Sequence, residues 1–185
     1  MYWFKPGLNH TAILTLGFTL LACMPACKPQ IKNNGAFDLS GFIKKDAARL
    51  KKLNKPVTKT VSHNGITETK IVHVDNWEQE LGLFIDADIN KPTWKSNYDV
   101  TAEDSLLVYR AKDKDKDLKV RYLLINRNGQ KVRWILIYTK TENILYKTTQ
   151  KLVYFPDSVY SIDMVQHVKT MGTNVYKVRG VIGKN

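Results

Sequence analysis

The strongest indication of the fold is the segment KVRWILIYTK at residues 131–140. Its residues are the β-branched, aliphatic and aromatic types that favour strands. Successive side chains of a strand point to opposite faces of a sheet. Here Leu136 and Tyr138 fall in one alternating set, while Ile135 and Ile137 fall in the other, and both sets are apolar. The stretch therefore predicts an interior strand with apolar surface on both faces.

Further strands surround this one along the chain. The turns between them are short, such as Asn128-Gly129 and Pro156-Asp157, and short turns connect antiparallel neighbours, whereas parallel strands need long crossovers. We expect a meander from residue 106 to the end of the chain. The predicted strands of this half are 106–111, 118–126, 131–140, 144–154, 158–168 and 175–182.

An amphipathic helix is predicted at residues 38–54. Its apolar side chains recur at helical spacing, with lysines on the opposite side. Such a helix either packs on a sheet or lies on an anionic membrane surface, and packing on the sheet is the favoured interpretation. Asp46 interrupts the apolar stripe, so we expect it to pair with a basic group. The stripe consists of Leu39, Phe42, Ile43, Ala47, Leu50 and Leu53.

Next come a hairpin and a second helix. Strands 57–62 and 66–74 are joined by Asn64-Gly65, a strong signal for a two-residue turn. A helix at about 76–87 follows, with Asp75 as its N-cap and Glu78 in a capping box.

A loop is then predicted through Trp94 and Tyr98. The expected fold class is α+β: a large curved antiparallel meander with N-terminal helices packed on one face.

The N-terminus has the features of an export signal. Lys5 precedes an apolar run at 12–22, which is too short to cross a bilayer, since crossing takes about 20 apolar residues. Leu20-Leu21-Ala22-Cys23 resembles the lipobox of bacterial lipoproteins. That resemblance implies cleavage before Cys23 and a diacylglycerol group on its thiol, with Cys27 as the competing site.

These features divide the chain into three segments. Residues 1–22 are the predicted signal peptide, 23–36 a lipidated flexible tether, and 37–185 a single domain. Both cysteines lie at the junction, so a disulfide framework in the domain is excluded. The tether lacks the acidic run associated with surface-exported lipoproteins in some Gram-negative groups. The resemblance to lipoproteins therefore implies a domain that faces the periplasm, with its anchor in the outer membrane.

The amino-acid composition limits the classes of partner that suit this protein. The chain is 43% hydrophobic and 25% charged, which is typical of a folded domain, and its net charge is +12. Such an excess suits anionic lipid, an acidic polymer or simply a solvated basic surface. We expect no nucleic-acid partner, because the N-terminus predicts that the protein is exported.

Two acidic segments resemble metal-binding loops only in part. Asp86-Ala87-Asp88-Ile89-Asn90 opens like a calcium loop, but Lys91 replaces the required glycine and Asn97 the bidentate glutamate. Asp113, Asp115 and Asp117 alternate with lysines, which predicts a solvated hairpin tip.

Neither the histidines nor the sequence motifs indicate a metal site or a catalytic site. His63 should face Ile66 across the hairpin, with His73 on the other face, so the two cannot share a metal; His167 is read as structural. No nucleophile, zinc or phosphate-loop motif is present. We therefore expect no cofactor and no enzymatic activity, with an unrecognised hydrolase as the less favoured alternative.

Aromatic residues on the predicted strands are the remaining candidates for a binding site. They either pack in the core and against neighbouring strands, or line an apolar concavity that holds a ligand. Strand 131–140 is apolar on both faces and the helices are expected to cover one, so part of this surface is predicted to bind a hydrophobic ligand. The candidate surface is Tyr122, Trp134, Tyr138 and Tyr146.

The segments WEQEL at 77–81 and DINKP at 88–92, with Tyr98, are similar to small uncharacterised lipoproteins of Bacteroidota-type bacteria. The resemblance covers most of the mature chain and implies neither an activity nor catalytic residues. The function expected is a lipid-anchored binding or scaffolding module of the cell envelope, attached to the membrane and taking a hydrophobic ligand. The alternative is a module that docks an envelope protein or an anionic polymer through its basic face.

Overall fold

The structure, a computed structural model, describes residues 37–91, 95–112 and 117–183. The predicted signal peptide, the tether and Cys23 lie outside the described residues, so those expectations stay predictions. Asp113 and Asp115 of the charged hairpin tip also lie outside them.

One antiparallel sheet of nine strands dominates the described part of the chain, in the order β2-β1-β9-β8-β7-β6-β5-β4-β3. From β3 to β9 each strand pairs with the next along the chain, and the β1–β2 hairpin lies beside β9. The predicted meander is confirmed. The strands are β1 Val57–His63, β2 Ile66–Val72, β3 Tyr98–Glu103, β4 Leu106–Ala111, β5 Val120–Asn128, β6 Lys131–Glu142, β7 Tyr146–Phe155, β8 Val159–Val168 and β9 Gly172–Ile182.

Strand β6 contains the stretch that predicted the fold. It pairs with β5 on one side and β7 on the other, so it is an interior strand, as expected. Ile135 and Ile137 are fully buried, whereas Leu136 and Tyr138, in the alternate set, are half-buried. The two apolar sets therefore meet different environments.

Strand β3 begins at Tyr98, which was predicted to lie in a loop, so that part of the prediction was wrong. Trp94 of the same predicted loop lies outside the described residues. Tyr98, Val100 and Ala102 form one alternating apolar set, which pairs with β4. Tyr98 is buried, and its hydroxyl donates a 3.0 Å hydrogen bond to the Val120 carbonyl of β5. The intervening polar residues face solvent on an edge strand, which masked the strand signal in the sequence.

Helix α1 spans Leu39–Leu53, close to its predicted range. Asp38 is its N-cap and accepts a 2.8 Å hydrogen bond from the Gly41 N–H. The helix ends at Asn54, whose N–H still bonds to the Leu50 carbonyl and whose left-handed backbone (φ 44°) stops the helix there. Short polar side chains accept these roles at helix ends more easily than apolar ones.

The second predicted helix is two short ones, α2 Trp77–Glu80 and α3 Gly82–Ile85, with a break at Leu81. Its predicted cap was also wrong: Asn76, one residue later than Asp75, accepts a 3.0 Å hydrogen bond from the Gln79 N–H. A glycine directly after the break lowers helix propensity there. A single 3₁₀ turn, Lys95–Asn97, leads into β3.

The three helices pack on one face of the sheet, which confirms the α+β fold. Their apolar residues, such as Leu39, Ile43 and Phe84, form one core with residues of the strands. We call this side of the sheet the covered face and the opposite side the open face. Fully buried strand residues of the covered face include Val57, Leu123, Ile125, Ile135, Ile137, Leu152, Tyr154 and Tyr160.

Candidate functional site: the open face of the sheet

The open face carries a continuous row of half-buried aliphatic side chains. Val108, Leu124, Leu136 and Val153 stand directly opposite one another on β4, β5, β6 and β7. Opposed residues of antiparallel strands share a face and lie about 4.5–5.5 Å apart, so the four form one apolar strip across the sheet. We call them the apolar row.

Aromatic residues flank the apolar row on both sides. Tyr122 and Tyr138 are opposed on β5 and β6, with ring centroids 6.2 Å apart. Trp134, opposed to Asn126, stands on the other side of the row. Three of the four predicted surface residues thus lie together on the open face, next to the apolar row.

Tyr146 is the exception. It lies on β7 at even-numbered spacing from the buried Leu152 and Tyr154, so it belongs to the covered face. It is paired with Val168 near the far end of the strand, and 37% of it is exposed. The structure therefore does not bring Tyr146 together with the other three residues.

Basic side chains border the apolar and aromatic residues. The guanidinium of Arg110 lies 5.4 Å from the centre of the Tyr122 ring, within the range of a cation–π contact. On the other side, Lys151 is opposed to Asp163, which is in turn opposed to Lys177. Arg179, on β9, continues the apolar row after Ser161. We call Arg110, Lys151, Lys177 and Arg179 the basic rim, and all four are exposed.

Sequence reasoning named the aromatic residues but not the apolar row or the basic rim. Val108, Leu124 and Val153 are ordinary aliphatic residues of apolar strands, and only the register reveals that they meet Leu136 in one line. The sequence does contain an indication of the row. Side chains alternate between the two faces along a strand, and each of these residues lies in the set opposite to the core residues of its own strand.

The covered face, by contrast, uses its polar groups to hold the helices. The Tyr154 hydroxyl donates a hydrogen bond to Asp46 Oδ2 of α1. Asp46 also accepts from Arg49 Nε at 2.7 Å, and Arg49 Nη1 reaches Asp157 at 2.5 Å. The expected pairing of Asp46 with a basic group is confirmed, and Arg49 at the helix edge supplies it.

A second cluster links α2 to the sheet. Glu80 Oε1 accepts from the Tyr160 hydroxyl at 2.5 Å and lies 2.7 Å from Lys59 Nζ. The edge of the Trp77 ring packs on the Tyr160 ring, with centroids 6.2 Å apart. Burial, together with the neighbouring carboxylates, raises the pKa of both Tyr154 and Tyr160 well above the usual tyrosine value. Both hydroxyls therefore stay protonated and act as donors.

The candidate metal groups do not converge. His63 faces Ile66, as predicted, and its ring stacks on Tyr176 at 4.4 Å. Asp88 of the calcium-like segment accepts a hydrogen bond from the Asn90 N–H at 3.3 Å, and burial raises its pKa. Within the described ranges, no three His, Cys, Asp or Glu side chains are placed to hold a metal ion.

A cleft of about 450 Å³ lies between the β5–β6 turn and the β7–β8 turn. Basic and acidic side chains share its lining with Val132 and Pro156, so it suits a polar rather than an acyl occupant. It lies apart from the apolar row. Its polar lining residues are Asn128, Lys131, Arg133 and Asp157.

No protein-family model, curated protein or solved structure matches the chain. Among the described helices, none has the length and apolar character needed to cross a membrane.

Proposed function

We propose that this protein is a lipid-anchored module of the bacterial cell envelope, and that its open face binds an anionic amphiphile, an acyl chain bearing a negatively charged headgroup. The anchor at Cys23 and the periplasm-facing position rest on the sequence at residues 20–23 and on the tether that follows. That the protein is not an enzyme likewise stays a prediction.

The observation that carries the proposal is the apolar row, on a face that the helices of the described residues leave open. Four aliphatic side chains in a line, flanked by Tyr122, Tyr138 and Trp134, offer a strip on which an extended hydrocarbon chain would lie. Burying that strip under a ligand removes apolar surface from water, which stabilises the complex by about 25 cal/mol for each Å² buried. Tyrosine and tryptophan suit such a site because each combines an apolar ring with a polar group.

The basic rim supports an anionic headgroup over a neutral one. Arg110, beside Tyr122, and Lys151, beside Tyr138, flank the tyrosine pair in one cross-strand row. That row continues through the Asp163 carboxylate to Lys177. Lys177 and Arg179 extend the positive charge over β9. Positive groups around an apolar strip match an amphiphile whose charge lies at one end of its chain.

The test is to identify lipids that accompany the purified full-length protein. Noncovalent lipids are extracted with organic solvent, which leaves any lipid on Cys23 attached, and are then identified by mass spectrometry. We expect anionic acyl lipids with the wild type. Leu136→Glu places a charge within the apolar row and should lower the lipid recovered by roughly tenfold, because an unpaired carboxylate then faces the acyl chain.

Val100→Glu is the matched control. Val100 is an apolar strand residue that is 51% exposed, and it belongs to the covered face at β3. It should leave lipid recovery unchanged. Absence of acyl lipids from the wild type, or equal loss in both variants, would reject the open face as the binding site.

The anchor has its own test. Cys23→Ala should abolish metabolic incorporation of labelled palmitate, whereas Cys27→Ala should retain it. Persistence of the label in Cys23→Ala would move the anchor to Cys27 and shorten the tether by four residues.

A further inference from the structure

Strand β2 forms one edge of the sheet within the described part of the chain. Two of its three apolar β-branched residues are strongly exposed, Ile66 at 83% and Ile71 at 73%, while Val72 is half-buried. An edge strand with exposed apolar residues is a template for pairing with another strand. The outward backbone groups and the charged side chains of β2 identify the strand that can pair with it.

The turn fixes which backbone groups of β2 point outward. Asn64 and Gly65 have positive φ (50° and 90°), as a two-residue hairpin turn requires, and His63 faces Ile66. On the other side of β1, the Asn64 N–H bonds to the Val175 carbonyl of β9. Backbone groups alternate in direction along a strand, so even-numbered residues of β2 bond to β1. The N–H and C=O of Thr67, Thr69 and Ile71 therefore point away from the sheet.

A second copy of β2 satisfies these groups in one antiparallel register. When Thr69 faces Thr69 of the second copy, Thr67 faces Ile71 of that copy, and all outward groups oppose outward groups. Each such pair exchanges two hydrogen bonds, giving about six across the interface. In the same register, Glu68 faces Lys70 of the second copy, and Lys70 faces its Glu68.

Charge selects this register over its neighbours. Centring the pairing on Glu68 would place two glutamates opposite each other, and centring it on Lys70 would place two lysines opposite each other. Opposite charges that face each other across antiparallel strands stabilise the pair, and like charges destabilise it. Within one copy, Glu68 and Lys70 form an ion pair at 2.7 Å, and each is 68% exposed, so the side chains of a facing strand can reach both.

We propose that two copies of this protein pair through β2, about a two-fold axis at Thr69, to form one continuous sheet. The pairing is isologous: the same strand contributes on both sides. Side chains keep their faces across the junction, so both open faces lie on the same side of the joined sheet. The proposal does not depend on the lipid-binding role of the open face.

The test uses two differently tagged full-length copies expressed together, with one captured through its tag and the other detected. Wild type should capture wild type. Glu68→Lys should fail to capture Glu68→Lys, and Lys70→Glu should fail to capture Lys70→Glu, because two like-charged pairs replace two opposite ones. We expect capture to fall by roughly tenfold or more.

Mixing the two single variants is the decisive arm. Glu68→Lys beside Lys70→Glu restores an opposite pair at both positions, so capture should return to the wild-type level. Thr69→Pro provides a second route, because it removes an outward N–H without removing a backbone hydrogen bond to β1. It also removes the exposed 2.9 Å hydrogen bond between the Thr69 and Thr60 hydroxyls. Thr69→Val removes that bond alone and therefore serves as the control. Thr69→Pro should abolish capture while its thermal unfolding stays close to that of the wild type.

Each result decides the proposal. Recovery in the mixed pair together with loss in both like pairs supports the Thr69 register. Absence of wild-type capture, equal capture in every combination, or failure of the mixed pair to recover would overturn it.

Discussion

The two faces of the sheet are built from the same strands but are used differently. On β5, Leu123 is fully buried beneath the helices, while Leu124, the next residue, is half-buried on the open face. The covered face combines a closed apolar core with tyrosine–carboxylate links to α1 and α2. The open face has the apolar row, aromatic flanks and a basic rim. The contrast teaches that apolar content alone does not mark the core, since the direction of each side chain decides its role.

Leu123 and Leu124 give the largest expected contrast between the faces. Leu123→Ala should lower the free energy of unfolding by about 2–5 kcal/mol, because it leaves a cavity in a closed core. Leu124→Ala should cost roughly 1 kcal/mol or less, because water already reaches that side chain. Urea unfolding measures both. Equal losses would mean that the open face is packed as tightly as the covered one.

Gly180 tests the sheet side of the covered face. The Tyr160 ring crosses directly over it, and an added Cβ would lie 2.2 Å from the ring. Gly180→Ala should therefore displace Tyr160 from Glu80 and cost about 1–3 kcal/mol.

Gly82→Ala is the control, because nothing lies within 4 Å of its added Cβ. It should be neutral or slightly stabilising, since alanine favours a helix. A neutral Gly180→Ala would show that the ring has space to move.

Raising the pH should gradually weaken the hydrogen bonds that join Tyr154 and Tyr160 of the sheet to helices α1 and α2. The folded pKa values of Tyr154 and Tyr160 are raised above the unfolded value of 10.0. Their contribution to stability is therefore fully present below pH 10 and is lost as the pH rises above that value. The melting temperature should fall more steeply above pH 10 for the wild type than for Tyr160→Phe. Parallel pH profiles would contradict a role for this hydroxyl.

The sequence predicted the meander because its main determinants are local. Asn64-Gly65 fixes a turn within two residues, and the doubly apolar stretch at 131–140 requires neighbours on both sides. Strand β3 escaped prediction because half of its residues are polar and exposed on an edge. The N-cap of helix α2 was predicted one residue too early, because Asp75 and Asn76 are equally good capping residues.

The candidate surface was harder to predict because it depends on register between strands. Tyr146 follows a turn, and its face is fixed only when Lys147 is seen opposite Glu142. The links from Tyr154 to Asp46 and from Tyr160 to Glu80 join residues 108 and 80 positions apart. No local pattern encodes such partners, since they arise from packing the helices on the sheet.

Tyr122 and Tyr146 allow the most direct test of the open face as the binding surface. They are the same residue type with nearly equal exposure, 38% and 37%, but they lie on opposite faces. A photoreactive phenylalanine analogue replaces each in turn in the full-length protein, and cells are irradiated after labelling with a clickable fatty acid. Adducts at the labelled position are then mapped by mass spectrometry. We expect acyl adducts at position 122 and few at position 146. Equal labelling at the two positions, or labelling mainly at 146, would reject the open face as the binding surface.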